Sequence, residues 1–253
     1  MLNINIVPCL QDNYSFVIQD TETNTIAVVD PSEFKPINNF IEKKFKKIDY
    51  IFNTHHHFDH TGGNLDLKKK YDCKIIGSKK DEKRIPGIDI KLFNNENFRL
   101  GNIDFKIFFV PGHTSGHICF YSKNEKVIFT GDTLFSLGCG KVFEGTHLEM
   151  LRSLNLIKKL PTNTKIYCGH EYTQKNLDFC IKYETNNKLE EKKKWIISRL
   201  HQKKPTIPVT VKEELDTNIF LRCNNSRVKK SLHMENATDL EVFKKLRDLK
   251  DVF

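Results

Sequence analysis

The sequence lacks the features that mark membrane, secreted and disulfide-bonded proteins. No apolar run approaches the ~20 residues that a membrane-spanning helix needs. Residues 1–10 contain no basic segment followed by a long apolar stretch, which is the pattern of a secretory signal. The seven cysteines include no Cys-x-x-Cys pair, and an odd number suits a reducing compartment rather than a disulfide framework. We expect no membrane partner and a cytoplasmic location, or an organelle if a leader was removed.

The sequence also lacks internal repeats. It contains no flexible linker, since no stretch is rich in Gly, Ser and Pro. The 253 residues have room for one large domain, or for a domain with a smaller appendage. Hydrophobic residues make up 38% and charged residues 29%, which is typical of a folded chain and excludes a disordered one. Lys and Arg number 41 against 32 Asp and Glu, a net charge of +9 that allows an anionic substrate or a nucleic acid.

Strand and helix patterns alternate through the first two thirds of the sequence. Short β-rich segments bounded by polar turns predict strands, and an apolar stripe over residues 34–45 predicts a helix. The β-rich and apolar segments are 3–7, 14–18, 25–29, 49–52, 104–110, 117–121, 127–130 and 165–167. From about residue 176 strands disappear and helical patterns remain. We therefore predict an α/β sandwich in residues 1–173, with sheets in the middle and helices outside, and a small helical domain in residues 174–253.

The strongest chemical signal is the segment 54–60, which reads Thr-His-His-His-Phe-Asp-His and follows an apolar strand. In extended backbone His55 and His57 point to the same side, because side chains alternate. The chain must turn at the glycines that follow, and this turn aims Asp59 and His60 at a neighbouring point. Imidazole and carboxylate groups are ligands for zinc, iron or manganese. The segment therefore predicts a metal site, in which His56 has a structural or solvent role.

Three further polar residues stand at the ends of apolar strands, after or beside a glycine: His113, Asp132 and His170. Glycine lets the backbone bend sharply and approach closely, and sites of α/β scaffolds are usually assembled at strand ends. Together with the cluster at 55–60, this context predicts that all three are metal ligands. We assign His117 to support or packing rather than to coordination.

The predicted ligands divide into two sets of three, with Asp132 as a bridge because a carboxylate has two oxygens to share. The first set is His55, His57 and His113, and the second is Asp59, His60 and His170. We expect two divalent ions. Zinc is the first choice, and iron or manganese stays open because mixed His/Asp ligation accepts all three.

These spaced motifs resemble the metallo-β-lactamase superfamily. Three segments narrow the resemblance to glyoxalase II, the hydroxyacylglutathione hydrolases: 138–146 (GCGKVFEGT), 169–173 (GHEYT) and 218–222 (NIFLR). The match extends to residues 247–253 (RDLKDVF) and covers essentially the whole chain. The histidine-rich motif identifies only the superfamily, so the discrimination depends on the three segments.

The resemblance implies a metallo-β-lactamase-like αββα sandwich followed by a small helical domain. It also implies a two-metal thioester hydrolase that converts S-D-lactoylglutathione and water to D-lactate and glutathione, the second step of methylglyoxal detoxification. The ligands carry over by motif position, and Asp59 and Asp132 are also expected to act in catalysis. The residues implied to hold the glutathione part of the substrate are Lys141, Phe143, Tyr172, Arg247 and Lys250.

Two positions depart from the family pattern. Phe143 stands where the family often has tyrosine, so one hydroxyl contact to the substrate would be missing. Ile219 replaces a common proline, which affects only a local turn. The basic side chains fit the substrate independently of the resemblance, because glutathione is net anionic and Lys and Arg attract carboxylates.

Three alternatives remain at this stage. A glutathione persulfide dioxygenase of the same superfamily would use one iron and molecular oxygen, but the complete second ligand set argues against it. A two-metal nucleic-acid hydrolase would fit the positive charge, yet no platform for single strands is evident, so we expect no nucleic acid partner. A non-catalytic metal-binding module would require a lost ligand. The acyl preference and the oligomeric state are not encoded in a recognisable pattern.

Overall fold

The computed structural model describes the whole chain, Met1–Phe253, as two compact units. The first unit comprises Met1–Val110 and Ser115–Gly131, and the second comprises Pro111–Thr114 and Asp132–Phe253. The short segment Pro111–Thr114 thus groups with the later part of the chain. No helix in the structure combines the length and the apolar character that crossing a bilayer requires.

The first unit begins with a six-stranded sheet whose spatial order follows the sequence. Its strands are β1 (Leu2–Cys9), β2 (Asn13–Asp20), β3 (Thr25–Val29), β4 (Tyr50–Phe52), β5 (Lys74–Ser78) and β6 (Ile88–Leu92). β1 to β3 are antiparallel, whereas β3 to β6 are parallel. Because the carboxyl ends of parallel strands share one edge, the residues after β3 and β4 meet there.

Helices cover one face of this sheet. They are α1 (Phe34–Lys44), α2 (Phe58–Thr61) and α3 (Asn64–Tyr71), with a short 3-10 helix at Lys79–Asp81. The predicted helix at residues 34–45 is confirmed as α1, which buries Ile37 and Ile41 in a core with Val17, Val28 and Ile51 of the sheet. The apolar stripe read from the sequence is therefore the face that packs.

A second, antiparallel set of strands packs against the first sheet. It consists of β7 (Asn97–Leu100), β8 (Ile103–Phe109), β9 (Ile118–Ser122) and β10 (Val127–Gly131), each next to its sequence neighbour. Phe52 of β4 stacks on Phe120 with ring centroids 4.7 Å apart. It also meets the rings of Phe98 and Phe105 edge-on. Aromatic rings thus fill the space between the sheets, and the predicted central sheets are confirmed.

The second unit is mostly helical. Its strands are β11 (Leu134–Phe135), β12 (Gly138–Cys139), β13 (Lys165–Cys168) and β14 (Val209–Thr210). Its helices are α4 (His147–Lys158), α5 (Thr173–Tyr183), α6 (Asn187–His201), α7 (Val211–Thr217), α8 (Ser226–Ser231) and α9 (Asp239–Asp251), with a 3-10 helix at Ile219–Leu221. Capping boxes start α4, α7 and α9, each pairing a threonine with a glutamate three residues later.

The expectation that strands disappear after about residue 176 is wrong at one place. β14 pairs antiparallel with β13, matching Lys165 with Thr210 and Ile166 with Val209. A two-residue strand directly after Pro208 has no periodicity to detect, and only its pairing defines it. The domain boundary at residue 173 stays a prediction.

Candidate metal centre

The histidine-rich segment of the first unit lies at the carboxyl edge of its parallel strands. The rings of His55 and His57 are 4.7 Å apart, and the His60 ring is 4.2 Å from that of His55. The chain turns after His57 into the single turn of α2, which presents Asp59 and His60 together. Asp59 Oδ2 is 3.4 Å from His60 Nε2. The expected turn is therefore present, and these four residues converge.

Asp30 supports this cluster and was missed by sequence reasoning. It follows β3, has a positive φ of 47°, and is buried. Its Oδ2 lies 3.0 Å from His60 Nδ1 and accepts a 2.7 Å hydrogen bond from Thr54 Oγ1. Polar residues at strand ends were the signal used for the predicted ligands, and the same signal applies to Asp30.

The hydrogen-bond partners fix the tautomers of two histidines. Thr54 gives its only hydroxyl proton to Asp30, so His55 must donate from Nδ1 to Thr54 Oγ1, over 3.0 Å. His60 likewise faces the Asp30 carboxylate with Nδ1. The lone pair of both imidazoles is then on Nε2, and support of this kind is typical of metal-bound histidines.

The two remaining histidines near the segment contact other groups. His56 has its Nδ1 3.4 Å from Asp81 Oδ2. His117 is buried and stacks on His55 with centroids 4.7 Å apart. These positions agree with supporting roles for both, which stay predictions.

The other three predicted ligands belong to the second unit and lie close together. Asp132 Oδ2 is 3.5 Å from His113 Nε2 and 3.3 Å from His170 Nε2. All three side chains are buried. His113 donates from Nδ1 to the carbonyl oxygen of Lys141, at 2.9 Å, and so keeps its Nε2 lone pair for another partner. A Cβ at Gly140 would come within 1.9 Å of the Asp132 carbonyl oxygen, so this turn requires glycine.

Both clusters fit divalent metal ions by the chemistry of their donors. Within the first unit, the rings of His55 and His57 lie 4.7 Å apart, and Asp59 Oδ2 lies 3.4 Å from His60 Nε2. Within the second, one carboxylate oxygen lies between two imidazole nitrogens. Nitrogen and oxygen donors of this kind hold zinc, iron or manganese and do not select among them.

Three of the predicted substrate residues lie near His113 and His170 within the second unit. Lys141 is exposed, and its Nζ lies 5.7 Å from the centre of the Phe143 ring. Phe143 is 60% exposed and meets the His113 ring edge-on. Tyr172 stacks flat on His170 with centroids 4.6 Å apart. This arrangement leaves an amino group and an exposed aromatic face next to the ligands.

The two predicted substrate residues of α9 differ in their surroundings. Arg247 is 5% exposed, donates to the carbonyl oxygen of Cys139 at 2.9 Å, and pairs with Asp251 at 2.9 Å. Lys250 is half-buried and donates to the carbonyl oxygen of Lys175 at 2.9 Å. Burial lowers the pKa of the Lys250 ammonium to about 8. A substrate-binding role stays a prediction for both.

Two family models together match almost the entire chain. The model described as the metallo-beta-lactamase superfamily matches residues 10–170, and the model described as the hydroxyacylglutathione hydrolase C-terminus matches residues 171–253. A hydroxyacylglutathione hydrolase of Pelagibacter ubique (strain HTCC1062) is 52% identical over 253 residues, which is all of both chains. The chain belongs to the hydroxyacylglutathione hydrolase family of the metallo-β-lactamase superfamily. A hydroxyacylglutathione hydrolase of Methylococcus capsulatus (strain ATCC 33009 / NCIMB 11132 / Bath) is 40% identical, covering 100% of this chain and 99% of that relative.

Solved structures of the superfamily share the fold of this hydroxyacylglutathione hydrolase family member. The BLEG-1 B3 metallo-β-lactamase superposes with a TM-score of 0.66 at 21% identity, over 87% of this chain and 99% of that one. ETHE1 from Myxococcus xanthus has a TM-score of 0.66 at 19% identity, over 98% of this chain and 96% of that one. The predicted metallo-β-lactamase-like αββα sandwich with a C-terminal helical domain is confirmed, as is the resemblance to glyoxalase II.

Proposed function

We propose that the chain hydrolyses S-D-lactoylglutathione to D-lactate and glutathione, the second step of methylglyoxal detoxification, in the cytoplasm. The observation that carries this proposal is the 52% identity over its full length to a hydroxyacylglutathione hydrolase. The similarity includes the C-terminal segment that the hydroxyacylglutathione hydrolase model matches. Neither the membrane nor a nucleic acid has a part in this reaction.

Seven side chains would hold two divalent ions, with zinc as the first choice and iron or manganese as alternatives. They are His55, His57, Asp59, His60, His113, Asp132 and His170. When bound, such ions lower the pKa of a coordinated water and polarise the carbonyl that it attacks. The position of Asp132 Oδ2 between two imidazoles supports its role as the bridging ligand.

Asp59 would orient the attacking water. Its Oδ2 accepts a 2.9 Å hydrogen bond from Asn13 Nδ2, and Asn13 also donates to the Asp59 carbonyl oxygen. Asn13 Nδ2 thus links the carboxylate of Asp59 to the backbone of the same residue and restrains its direction. A carboxylate held in this way can accept a hydrogen bond from a water and fix its orientation.

The leaving group of the thioester does not have to be protonated by the protein. A thiol with a pKa of ~8.5 leaves as a thiolate near neutral pH, so no dedicated acid is needed. No cysteine competes as a nucleophile, since all seven are buried. Burial raises the pKa of the Cys168 thiol to about 12 and also raises that of Cys139. Water is therefore the nucleophile that the site favours.

Glutathione binding is proposed for Lys141, Phe143, Tyr172, Arg247 and Lys250. The exposed Lys141 ammonium supplies a positive charge for a carboxylate. The exposed Phe143 ring offers an apolar contact but no hydroxyl group. Arg247 already donates to protein groups, so its contribution includes holding the backbone at Cys139.

Thioester hydrolysis and metal content should be measured on the same purified sample. We expect rapid loss of the thioester absorbance of S-D-lactoylglutathione and about two metals per chain. A fully metallated sample without turnover would refute the proposal. Oxygen uptake with glutathione persulfide in that sample would then identify the dioxygenase instead.

A further inference from the structure

A buried carboxylate that is not one of the predicted ligands lies behind the histidine-rich segment. Asp81 ends the 3-10 helix after β5, and its side chain is fully buried. A buried charge is costly unless other groups pair with it. Its partners are Arg84, through Nε and Nη2, and His56. The sequence gives no hint of this burial, because Asp81 stands among lysines.

The two carboxylate oxygens of Asp81 have different partners. Oδ1 accepts from Arg84 Nη2 at 2.5 Å and from Arg84 Nε at 3.1 Å. Oδ2 faces His56 Nδ1 at 3.4 Å. Since a carboxylate can only accept, His56 must donate from Nδ1. Asp81 thereby sets both the tautomer and the direction of the His56 ring.

His56 stands between two predicted ligands in the chain. Its ring centroid lies 4.9 Å from that of His57 and 6.4 Å from that of His55. Because the rings of His56 and His57 lie against each other, anchoring His56 on Asp81 restricts the position of the His57 ring. The contact with Asp81 therefore acts on a predicted ligand without touching an ion.

Asp81 also contacts the segment Ser115–Gly116, which leads into His117. A Cβ at Gly116 would come within 1.9 Å of Asp81 Oδ1, so the carboxylate occupies the space that any side chain there would need. Arg84 extends this contact by donating from Nη2 to Ser115 Oγ at 3.0 Å. His117 in turn stacks on His55. Two segments around the cluster are thus packed on one carboxylate.

We propose that Asp81 is a positioning residue for the metal centre, acting through His56 and through the packing of Gly116. The inference rests on the proposed metal-dependent function. It assigns to Asp81 no contact with an ion or with the substrate. Loss of a group that orients a metal ligand typically lowers metal affinity ~10- to 100-fold.

The first test is the metal affinity of Asp81→Asn, measured by chelator competition on the full-length protein. We expect an affinity ~10- to 100-fold below that of the wild type, measured at a temperature at which the metal-free variant is folded. The thermal transition of the metal-free variant should lie below that of the wild type, because Arg84 loses its buried carboxylate partner. Glu82→Gln is the matched control. It removes the adjacent carboxylate, which pairs with Lys79 and Lys91 at the surface, and should leave the affinity unchanged. An Asp81→Asn affinity within twofold of the wild type would overturn the proposal.

The second test identifies the path through His56. If Asp81→Asn keeps its oxygen on Arg84, its amide group faces His56, and the imidazole must move its proton to Nε2. Nitrogen NMR of the metal-free protein should therefore show an Nδ1–H tautomer in the wild type and an Nε2–H tautomer in the variant. The same tautomer in both would exclude the contact.

A double-mutant cycle completes the design. His56→Leu should reproduce the loss of affinity, whereas His56→Asn, whose amide can replace Nδ1–H, should largely retain it. The double variant His56→Leu, Asp81→Asn should be no weaker than either single variant. Additive losses would show that Asp81 does not act through His56. Because affinity and tautomer are measured without substrate, absence of lactoylglutathione hydrolysis would count against the proposed reaction and not against Asp81.

Discussion

Single residues set the tautomers of the histidines that are proposed as metal ligands. Thr54, Asp30 and the Lys141 carbonyl each occupy the Nδ1 side of one histidine. These hydrogen bonds therefore leave Nε2 as the nitrogen that each proposed ligand would offer to an ion. Among the proposed ligands, Asp132 is the one whose replacement should weaken metal binding most, because one of its oxygens lies near two imidazoles.

Asp132→Ala should abolish thioester hydrolysis and reduce metal content below two per chain. A direct ligand is expected to matter more than a supporting group, so the loss should exceed ~100-fold in kcat/KM. Turnover and metal analysis on one sample check this outcome. Retention of both activity and metal would exclude the bridging role.

Phe143→Tyr should restore the hydroxyl that the family pattern often has. Because Phe143 is 60% exposed, the added group needs no buried partner. One new hydrogen bond to the substrate should lower KM about 2- to 10-fold and leave kcat unchanged. Steady-state kinetics with S-D-lactoylglutathione measures both values, and an altered kcat with constant KM would place Phe143 outside the binding site.

Lys250 should give substrate binding a pH dependence. Its pKa is lowered to about 8, first by burial and further by Arg247 and Lys175, against the opposing effects of Cys180 and Asp178. As the pH rises through 8 the ammonium is lost, so KM should increase while kcat changes little. Lys250→Arg, which keeps its charge, should shift this increase to higher pH. A KM profile identical to that of Lys250→Met would exclude the role.

The lowered pKa of Lys250 should also make the free energy of unfolding depend on pH. The folded state has a pKa of about 8 at Lys250, below the ordinary value of 10.5. Between these values the unfolded chain binds more protons, so the free energy of unfolding should rise with pH in that window. The penalty of burying the charge is fully present below pH 8.

At the scale of elements, the sequence predicts those helices and strands that have a regular apolar period or contain a strong motif. α1 and the aromatic sheets were predictable because their apolar residues repeat regularly. β14 was not, because two residues carry no period and their pairing with Lys165 and Ile166 is a tertiary event. The burial of Asp81 was not predictable for a related reason, because it depends on packing against Gly116 in the folded chain.

The capping box of α9 should contribute measurably to stability. Thr238 Oγ1 accepts from the backbone of Glu241, and the glutamate reaches back to the Thr238 backbone. Thr238→Ala should lower the free energy of unfolding by about 1 kcal/mol. Denaturant titration measures the change, and Thr185→Ala, at an exposed threonine that caps no helix, is the control. Equal effects of both substitutions would contradict the cap assignment.

At the scale of the whole molecule, family membership was predictable because its motifs span the sequence. The division into compact units was not. The segment Pro111–Thr114 groups with the chain after Gly131, and no pattern in the sequence marks such a grouping. The boundary at residue 173 stays a prediction. Which segments pack together is a property of the folded chain.

Metal removal should destabilise the entire protein. Each ion that binds only the folded state adds about 2.7 kcal/mol when its free concentration is 100-fold above Kd. Chelation should therefore lower the Tm, and readdition of zinc should restore it. A Tm that does not respond to chelator in a protein shown to lose its metals would contradict this linkage.

The grouping of Pro111–Thr114 with the later chain has a consequence for biosynthesis. His113 leaves the ribosome long before its neighbours Asp132 and His170 do, and its partner carbonyl at Lys141 also comes later. A nascent chain ending at Gly131 holds the histidine-rich segment but neither of these partners. If His170 is a ligand as proposed, the ligand set is completed late in synthesis, and the newly made chain should reach its full metal-binding capacity only after residue 170 has emerged.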